Sequence, residues 1–352
     1  MWNNLLHDFL IKNLFKQSLA DYCVYTKSEG QNKIILIIFV DDIIIAANNS
    51  NILNETKIML SKKFKMRDLY ILNYFLGIEF TCYKDSISMS QTNYLAKILE
   101  KFKMFDCKNK SYPCELSLNK DMITVDSRQL DEKEHKIFRG IVGSLIYVMT
   151  GTRPDLSFIV TKLSQYLTCP NEYHLKLAKN VLRYIKGTLH YKLIYKKSNI
   201  LEVIRYSDSD YGGSEDRYSI SGYCFQLNKE GPPISWKQNI IALSSCEAEY
   251  VALASATQEA NFLRQLLLDM QYLDNKTLTI NVDNQSAISL AKNPVFRQRT
   301  KHIDIKYHYI RSQIKENLIE LKYIPSELNV ADIFTKPVSS HKINRFKIFN
   351  ID

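Results

Sequence analysis

Residues 204–213 read Ile-Arg-Tyr-Ser-Asp-Ser-Asp-Tyr-Gly-Gly, the pattern of a core strand that also carries acidic side chains. Because side chains alternate between the two faces of a strand, Ile204, Tyr206 and Asp208 share one face. The period-two pattern predicts an apolar side chain at the position of Asp208. A carboxylate placed there needs a partner that offsets its burial, so Asp208 is the first candidate metal ligand of the chain.

A second carboxylate, Glu249, interrupts the apolar face of a predicted helix. Residues 244–247 (Ser-Ser-Cys-Glu) have the form of a capping box, which predicts that a helix begins there. Its apolar stripe, at steps of three and four, contains Leu253, Ala256, Ala260, Leu263 and Leu267. One turn earlier the stripe reaches Glu249, whereas Glu247 falls on the solvent side. We therefore take Glu249 as the candidate ligand and Glu247 as an ordinary surface residue.

Two further acidic residues lie at the ends of predicted elements. Asp283 ends the predicted strand 277–283, at the carboxyl end where open α/β sheets usually bind ligands. Asp332 follows Asn329 at the start of a last predicted helix. Each candidate also has a plain structural explanation, because an Asp can form a turn or edge and an acid after an Asn cap favours the helix dipole.

Taken as a set, the four carboxylates predict a metal site. Like charges raise one another's pKa and are costly to bury together, so carboxylates that face one site need a cation. Oxygen ligands select a hard cation such as Mg²⁺ over zinc. A pair of Mg²⁺ ions about 3.5–4 Å apart would neutralise the group.

Composition narrows the class of protein. With 352 residues, of which 45% are hydrophobic, the chain is long enough for two or three folded domains. The formal charge of +10 suits a polyanionic partner such as nucleic acid, and no amphipathic anchor or lipidation motif supports the alternative of a membrane surface. Seven scattered cysteines and no secretion signal predict reduced thiols in an intracellular protein, located in the cytoplasm, the nucleus or both.

A second acidic stretch lies near the start of the chain. The apolar runs 34–40 and 43–47 are separated only by Asp41 and Asp42, which predicts a β-hairpin with two carboxylates at its tip. A plain Asp-rich turn is the alternative. We expect both runs to be buried, which would confine the acidic pair to a narrow exposed edge.

The middle of the chain predicts a hairpin, a linker and three helices. Residues 72–90 predict a hairpin that turns at Lys84-Asp85, and Ser90 is the expected cap of the next helix. Residues 108–134 lack periodicity and predict a linker. Helices are expected over 135–150, 154–168 and 172–186, because Gly151, Pro154 and Pro170 punctuate the pattern.

Two basic clusters are candidate contacts for a phosphate backbone. One face of the third helix carries Lys176, Lys179, Arg183 and Lys186 at steps of three and four. The second cluster includes Arg297, Arg299 and Lys301. In both cases the alternative is an ordinary solvated face, which is what charge runs usually form.

The C-terminal half predicts a mixed α/β sheet. Strands are expected over 201–209, 219–227, 233–240, 277–283 and 318–324, and helices over 245–270, 285–292, 303–316 and 328–336. Three antiparallel-type strands followed by strands that alternate with helices are typical of a mixed five-stranded sheet covered by helices.

An ordered series of motifs resembles one known family. The motifs are Tyr-Ser-Asp-Ser-Asp-Tyr-Gly-Gly, Ser-Ile-Ser-Gly-Tyr, Ile-Ser-Trp-Lys, Ala-Leu-Ser-Ser-Cys-Glu-Ala-Glu-Tyr, Val-Asp-Asn-Gln-Ser-Ala, Arg-Thr-Lys-His-Ile-Asp and Ala-Asp-Ile-Phe-Thr-Lys-Pro, all between residue 206 and residue 337. This part of the chain is similar to the ribonuclease H domain of copia-type retrotransposon polyproteins. The resemblance implies a ribonuclease H fold with Asp208, Glu249, Asp283 and Asp332 as the carboxylates that bind two Mg²⁺ ions, with Mn²⁺ as an alternative metal.

The first part of the chain resembles the palm of the copia-type reverse transcriptase. The similar stretches are Ala-Asp-Tyr-Cys-Val-Tyr (20–25), Phe-Val-Asp-Asp (39–42) and Leu-Gly-Ile-Glu-Phe (76–80). Polymerases of this type use a further Asp on an earlier strand and a fingers region, neither of which matches a segment of this chain. We therefore expect Asp41 and Asp42 to be a remnant polymerase site, and polymerisation by this chain alone is not expected.

The resemblance implies the C-terminal part of a Pol polyprotein in four segments. They are a partial palm (1–110), a linker with a helical thumb or connection (111–197), a ribonuclease H-like domain (198–340) and a tail (341–352). The implied activity is hydrolysis of the RNA strand of RNA–DNA hybrids, with upstream fingers and integrase segments as further partners. Two alternatives stay open: a non-catalytic nucleic-acid-binding remnant of a retrotransposon, and a different Mg²⁺ phosphotransferase on a similar sheet.

Overall fold

The computed structural model describes residues 2–116, 118, 127–198, 201–210, 218–229, 231–242, 245–273, 277–292, 301–346 and 349. Its contacts form two compact units, Met1–Leu72 together with Gln258–Leu278, and Asn73–Thr257 together with Thr279–Asp352. The two units divide the chain at other places than the segment boundaries expected at 110, 197 and 340, and these boundaries stay a prediction.

The first unit contains a four-stranded antiparallel sheet and two helices near the N-terminus. Its elements are α1 (Trp2–Lys12), β1 (Lys16–Gln17), β2 (Val24–Glu29), β3 (Asn32–Phe39), β4 (Asp42–Ala47) and α2 (Ser50–Lys63), and the strands follow one another in the order β1-β2-β3-β4. Side chains of both helices pack on the sheet, where Leu6, Leu10 and Leu60 join the buried residues of β3 in one core.

The acidic hairpin is present, but its flanking runs are not both buried. Phe39 pairs with Asp42, so Val40 and Asp41 form a two-residue loop. Val40 has a φ of 53°, which is unusual for a β-branched residue. Along β3 the side chains alternate between buried and partly exposed, and none of β4 is buried. The expectation of two buried runs is therefore wrong, because only the core-facing side chains of β3 are buried and β4 is an edge strand of the sheet, whose core-facing side chains are partly buried.

The second unit begins with another antiparallel sheet, ordered β5-β6-β7-β8. Its strands are Tyr74–Phe75, Ile78–Cys82, Ser86–Ser90 and Leu193–Lys196. The hairpin expected over 72–90 is confirmed. Ser90 does not cap the next helix, α3 (Thr92–Lys101), whose N-cap is Gln91. The hydroxyl of Ser90 lies 3.5 Å from a carboxylate oxygen of Glu79 instead.

Three further helices pack with α3 around one core. They are α4 (Glu132–Gly151), α5 (Ser157–Ser164) and α6 (Glu172–Gly187). The helix expected over 154–168 is shorter, because a 3₁₀ turn at Pro154–Leu156 precedes α5. Beside it the fully buried Arg153 donates to both carboxylate oxygens of Asp155, at 3.0 and 2.7 Å.

The C-terminal half forms the mixed five-stranded sheet that the sequence predicts. Its strands are β9 (Ile204–Asp210), β10 (Tyr218–Gln226), β11 (Pro233–Ala242), β12 (Leu278–Val282) and β13 (Ile319–Tyr323), in the order β11-β10-β9-β12-β13. β10 is antiparallel to both β9 and β11, whereas β12 is parallel to β9. The mixed α/β fold class is therefore confirmed.

Five helices accompany this sheet among the described residues. They are α7 (Ser245–Asp269), α8 (Gln285–Lys292), α9 (Lys301–Lys315), α10 (Asp332–Thr335) and α11 (Ser340–Arg345). The helix expected over 328–336 is reduced to α10, after a 3₁₀ turn at Ser326–Leu328. Ser244, part of the expected capping box, lies outside the described residues. None of the described helices is long and apolar enough to cross a membrane.

Candidate metal centre

Asp208 lies on the central strand β9, and only 1% of its surface is exposed. It pairs in register with Gly222 on β10. A Cβ atom at Gly222 would lie 3.1 Å from side-chain atoms of both Phe334 and Thr335, so the glycine lets α10 approach the sheet. At this close approach the hydroxyl of Thr335 donates a hydrogen bond to a carboxylate oxygen of Asp208.

Glu249 projects from α7 into the same region. The apolar stripe that predicted its position is buried along its whole length, and Glu249 itself is 8% exposed. Its Oε2 atom is buried without a hydrogen-bond partner among the described residues. A buried carboxylate oxygen that the protein leaves unsatisfied is the kind of ligand that a cation would complete.

Asp283 follows β12 at the carboxyl end of that strand, as the sequence predicts. The next residue, Asn284, accepts a hydrogen bond from the backbone N–H of Ala287 at 3.0 Å and so caps α8. This cap fixes the turn that carries Asp283 at the carboxyl end of β12.

The structure brings three of the four predicted carboxylates together. One carboxylate oxygen each of Asp208, Glu249 and Asp283 lies within 4.8 Å of the others. Asp208 and Glu249 are buried and Asp283 is half-buried. Three oxygen ligands at this spacing fit a hard divalent cation, and Mg²⁺ usually needs only one or two carboxylates besides water and substrate oxygens.

The electrostatics of this group also fit a cation. Burial first, and then the charges of Asp208 and Asp283, raise the pKa of Glu249 to about 9, against the opposing effects of Lys336 and a hydrogen bond with Asn284. Burial likewise raises the pKa of Asp208, against the opposing charge of Lys336. A divalent cation at this position would reverse both shifts, because it stabilises the ionised carboxylates.

Asp332, the fourth predicted ligand, lies beside this group but has other partners. One of its carboxylate oxygens is 3.0 Å from the ammonium of Lys336, and the other is bound by Lys342. The Lys336 ammonium is also 3.7 Å from a carboxylate oxygen of Asp208. The role of Asp332 as a metal ligand stays a prediction.

Sequence reasoning missed Thr335, Lys336 and Lys342 as neighbours of the acidic group. A signal was available for one of them, because Asp332 and Lys336 are four residues apart in a predicted helix and such pairs face each other. Lys342 comes from the separate helix α11, so no local spacing indicates its contact.

The remaining predicted site residues lie elsewhere. Asp41 and Asp42 are exposed at the hairpin of the first unit. On α6 the side chains of Lys176, Lys179 and Arg183 are exposed. Lys186 is half-buried, and its ammonium donates to the backbone carbonyl of Cys107 at 2.6 Å.

Most of the second basic cluster, Arg297, Arg299 and Lys301, lies outside the described part of the chain. Arg297 and Arg299 lie outside the described residues, and Lys301 begins α9 with a side chain that is not described. A role of either cluster in binding nucleic acid stays a prediction.

Similarity to known proteins extends over almost the whole chain. Residues 1–116 match the family model described as reverse transcriptase (RNA-dependent DNA polymerase). Over 98% of its length the chain is 34% identical to the retrovirus-related Pol polyprotein from transposon RE1 of Arabidopsis thaliana, of which it covers 23%. It is 33% identical, again over 98% of its length, to the retrovirus-related Pol polyprotein from transposon TNT 1-94 of Nicotiana tabacum, of which it covers 26%.

Part of the chain is also similar to a solved structure. The crystal structure of LC11-RNase H1 in complex with an RNA/DNA hybrid is 18% identical and covers 38% of this chain and 94% of its own, with a TM-score of 0.30.

Fold and sequence together define a retroelement protein, in which reverse-transcriptase sequence precedes a mixed five-stranded sheet. More narrowly, the chain belongs to the copia-type retrotransposon Pol polyprotein family. It spans about a quarter of the length of the Pol polyproteins that it matches.

Proposed function

We propose that the ribonuclease H-like part of this chain hydrolyses the RNA strand of RNA–DNA hybrids with the help of Mg²⁺. The observation that carries the proposal is the convergence of Asp208, Glu249 and Asp283 within 4.8 Å of one another, with Glu249 Oε2 buried and unpartnered among the described residues. Without a cation, carboxylates brought this close in a buried place destabilise the fold.

In this proposal Asp208, Glu249 and Asp283 hold the metal, with two ions as the expected number. Bound Mg²⁺ supplies Lewis acidity, which makes water a better nucleophile and stabilises the oxygen that leaves. The side chains themselves bind and orient. Thr335 fixes one oxygen of Asp208 by its hydrogen bond, and the Asn284 cap holds the turn that carries Asp283.

The hybrid itself would be held by cationic side chains. Lys176, Lys179 and Arg183 are exposed along α6 and can contact a phosphate backbone. Discrimination of RNA from DNA would come from contacts to the 2′-hydroxyl.

A cleavage assay tests the proposal. The purified chain is given a labelled RNA–DNA hybrid with Mg²⁺, and cleavage is followed on a denaturing gel. Asp208→Asn and Glu249→Gln are each expected to lower the cleavage rate at least about a hundredfold, because each removes a charged ligand from the metal. Glu320→Gln, which changes an exposed acid on β13, is expected to cleave like the wild type. Equal activity, or equal inactivity, of the wild type and Asp208→Asn contradicts the proposal.

A non-catalytic nucleic-acid-binding protein is the second candidate. It is favoured by the ion pairs of Asp332, in which Lys336 binds one carboxylate oxygen and Lys342 binds the other. These pairs leave fewer acidic groups open to a metal. Salt-sensitive binding of the hybrid without turnover would support this alternative.

A further inference from the structure

The acidic group contains a cation of its own, the ammonium of Lys336. It lies 3.7 Å from Asp208 and 3.0 Å from Asp332, so one lysine faces two carboxylates that project from different elements. Both carboxylates are almost fully buried, whereas the lysine side chain is 35% exposed. The positive charge near these buried carboxylates therefore belongs to a lysine side chain that is in contact with solvent and can move toward it.

A second lysine fixes Asp332 in this arrangement. Lys342, on α11, binds the other carboxylate oxygen of Asp332, and its ammonium lies 5.9 Å from the ring centre of Phe346. Each carboxylate oxygen of Asp332 therefore forms an ion pair with a lysine. Asp208, by contrast, has a hydroxyl donor and the more distant Lys336 ammonium at one and the same oxygen, Oδ2.

We propose that Lys336 is an internal counter-cation, which stabilises the acidic group in the metal-free protein and competes with the divalent metal for Asp208. The inference rests on the proposed metal-dependent function and adds that Lys336 competes with the metal for one of its ligands. Two positive groups close to the same carboxylate repel each other, so we expect metal binding to weaken the contact of the Lys336 ammonium with Asp208.

The contact with Asp332 gives the displaced ammonium a place to remain. Lys336 is four residues after Asp332 on the same helical segment, a spacing at which side chains meet. The pair with Asp332 can persist while the longer contact with Asp208 is lost. In this account the pair with Asp332 determines where the Lys336 ammonium lies when the metal is bound.

The test measures metal affinity directly. Binding of Mn²⁺ to the whole chain is followed by the loss of the free-ion electron paramagnetic resonance signal, at fixed ionic strength. Lys336→Met keeps much of the apolar stem but removes the charge, and we expect it to bind Mn²⁺ about tenfold more tightly than the wild type. Lys336→Arg keeps the charge and is expected to bind like the wild type. Lys322→Met, at an exposed position on β13, controls for the loss of one positive charge.

A second measurement does not depend on metal loading. In the presence of a chelator, Lys336→Met is expected to unfold at a lower temperature than the wild type, because the acidic group has lost its counter-cation. Saturating Mg²⁺ is expected to close that gap. Lys336→Gln provides a second uncharged variant if the methionine variant folds poorly.

The outcomes separate this inference from the proposed function. If the wild type binds Mn²⁺ and cleaves hybrid, but Lys336→Met binds with unchanged or weaker affinity, the counter-cation role is wrong and the proposed function stands. If neither protein binds Mn²⁺ better than Asp208→Asn does, both are wrong. Tighter binding by Lys336→Met, with lower stability only when metal is absent, supports the inference.

Discussion

The side-chain amide of Asn329 donates a hydrogen bond to the backbone carbonyl of Ser207, with an Nδ2–O distance of 3.0 Å. Its carbonyl oxygen accepts in turn from the backbone N–H of Ala331 at 3.1 Å. Asn329 is fully buried. One side chain therefore ties the segment that leads into α10 to the residue that precedes Asp208 on β9, and it sets the distance between Asp208 and the group formed by Asp332 and Lys336.

The first prediction concerns this link. Asn329→Ala is expected to lower the free energy of unfolding by about 1–3 kcal/mol, because the Ser207 carbonyl and the Ala331 N–H are left without their partner in a buried place. Hybrid cleavage is expected to fall as well, since α10 is no longer held against β9. Denaturant unfolding and the cleavage assay measure the two effects.

The matched control is Asn54→Ala, an exposed position on α2, which is expected to change stability by no more than about 0.5 kcal/mol. A similar small effect of Asn329→Ala would show that the link does not hold the segment.

The same residue shows what sequence reasoning could and could not reach. The pattern suggested Asn329 as the cap of the helix that carries Asp332, but the N-cap of α10 is Ala331. Asn329 accepts from the Ala331 N–H just before this helix and also donates across to β9. Asn is favourable at a cap and equally able to bond a distant carbonyl, and spacing along the chain does not distinguish the two.

Other parts of the site could be predicted from the sequence because they depend on local periodicity. The alternation along β9 and the stripe of α7 placed Asp208 and Glu249 on buried faces, which the structure confirms. The contact of Lys336 with Asp208 depends on how α10 packs on the sheet. The incomplete burial of β4 depends on its place at the edge of the sheet. Neither property is encoded in a period of two or 3.6 residues.

The second prediction concerns the close approach of α10 at Gly222. Gly222→Ala places a Cβ atom 3.1 Å from atoms of Phe334 and Thr335, so α10 must shift away from β10. We expect a loss of about 1–3 kcal/mol in the free energy of unfolding. Mn²⁺ affinity is expected to fall, because Thr335 moves away from Asp208.

Gly143→Ala on α4 is the matched control, since a Cβ atom there meets nothing within 4 Å. It is expected to stabilise the protein by about 0.5–1 kcal/mol, because alanine favours a helix over glycine. If both glycine variants stabilise the protein, α10 does not need the glycine.

The third prediction concerns the pH dependence of stability without metal. The pKa of Glu249 is raised from an ordinary 4.5 to about 9, so between these values the folded protein binds a proton that the unfolded chain does not. Stability that comes from this proton is present at low pH and is lost as pH rises through the window. Asp208, whose pKa is also raised, adds to the loss.

Thermal unfolding in a chelator, measured from about pH 5 to pH 9, tests this sign. The melting temperature of the wild type is expected to fall with rising pH more steeply than that of Glu249→Gln, which has no carboxyl group to ionise. Glu320→Gln is expected to keep the wild-type slope. With saturating Mg²⁺ the slope is expected to flatten or reverse, because the metal binds the ionised carboxylates and stabilises the folded state. Parallel slopes for the wild type and Glu249→Gln would rule out a protonated Glu249.

The last prediction concerns the basic face of α6. Lys176, Lys179 and Arg183 are exposed, whereas the Lys186 ammonium already donates to the carbonyl of Cys107. If the face binds a phosphate backbone, replacing the three exposed residues with glutamine lowers the slope of log affinity against log salt by about 2–3, close to one counterion per contact. Lys186→Gln is expected to leave this slope almost unchanged, although all four residues share one helical face in the sequence.

A triple glutamine variant at the exposed Lys12, Lys229 and Lys322 gives the same change in net charge at separate places. Fluorescence anisotropy with a labelled hybrid at several salt concentrations measures the slopes. Because the two triple variants differ only in where the charges are removed, equal slopes would mean that net charge alone attracts the hybrid and that α6 is an ordinary solvated helix face. A lower slope for the α6 variant alone would assign the contact to the three residues that the structure leaves exposed.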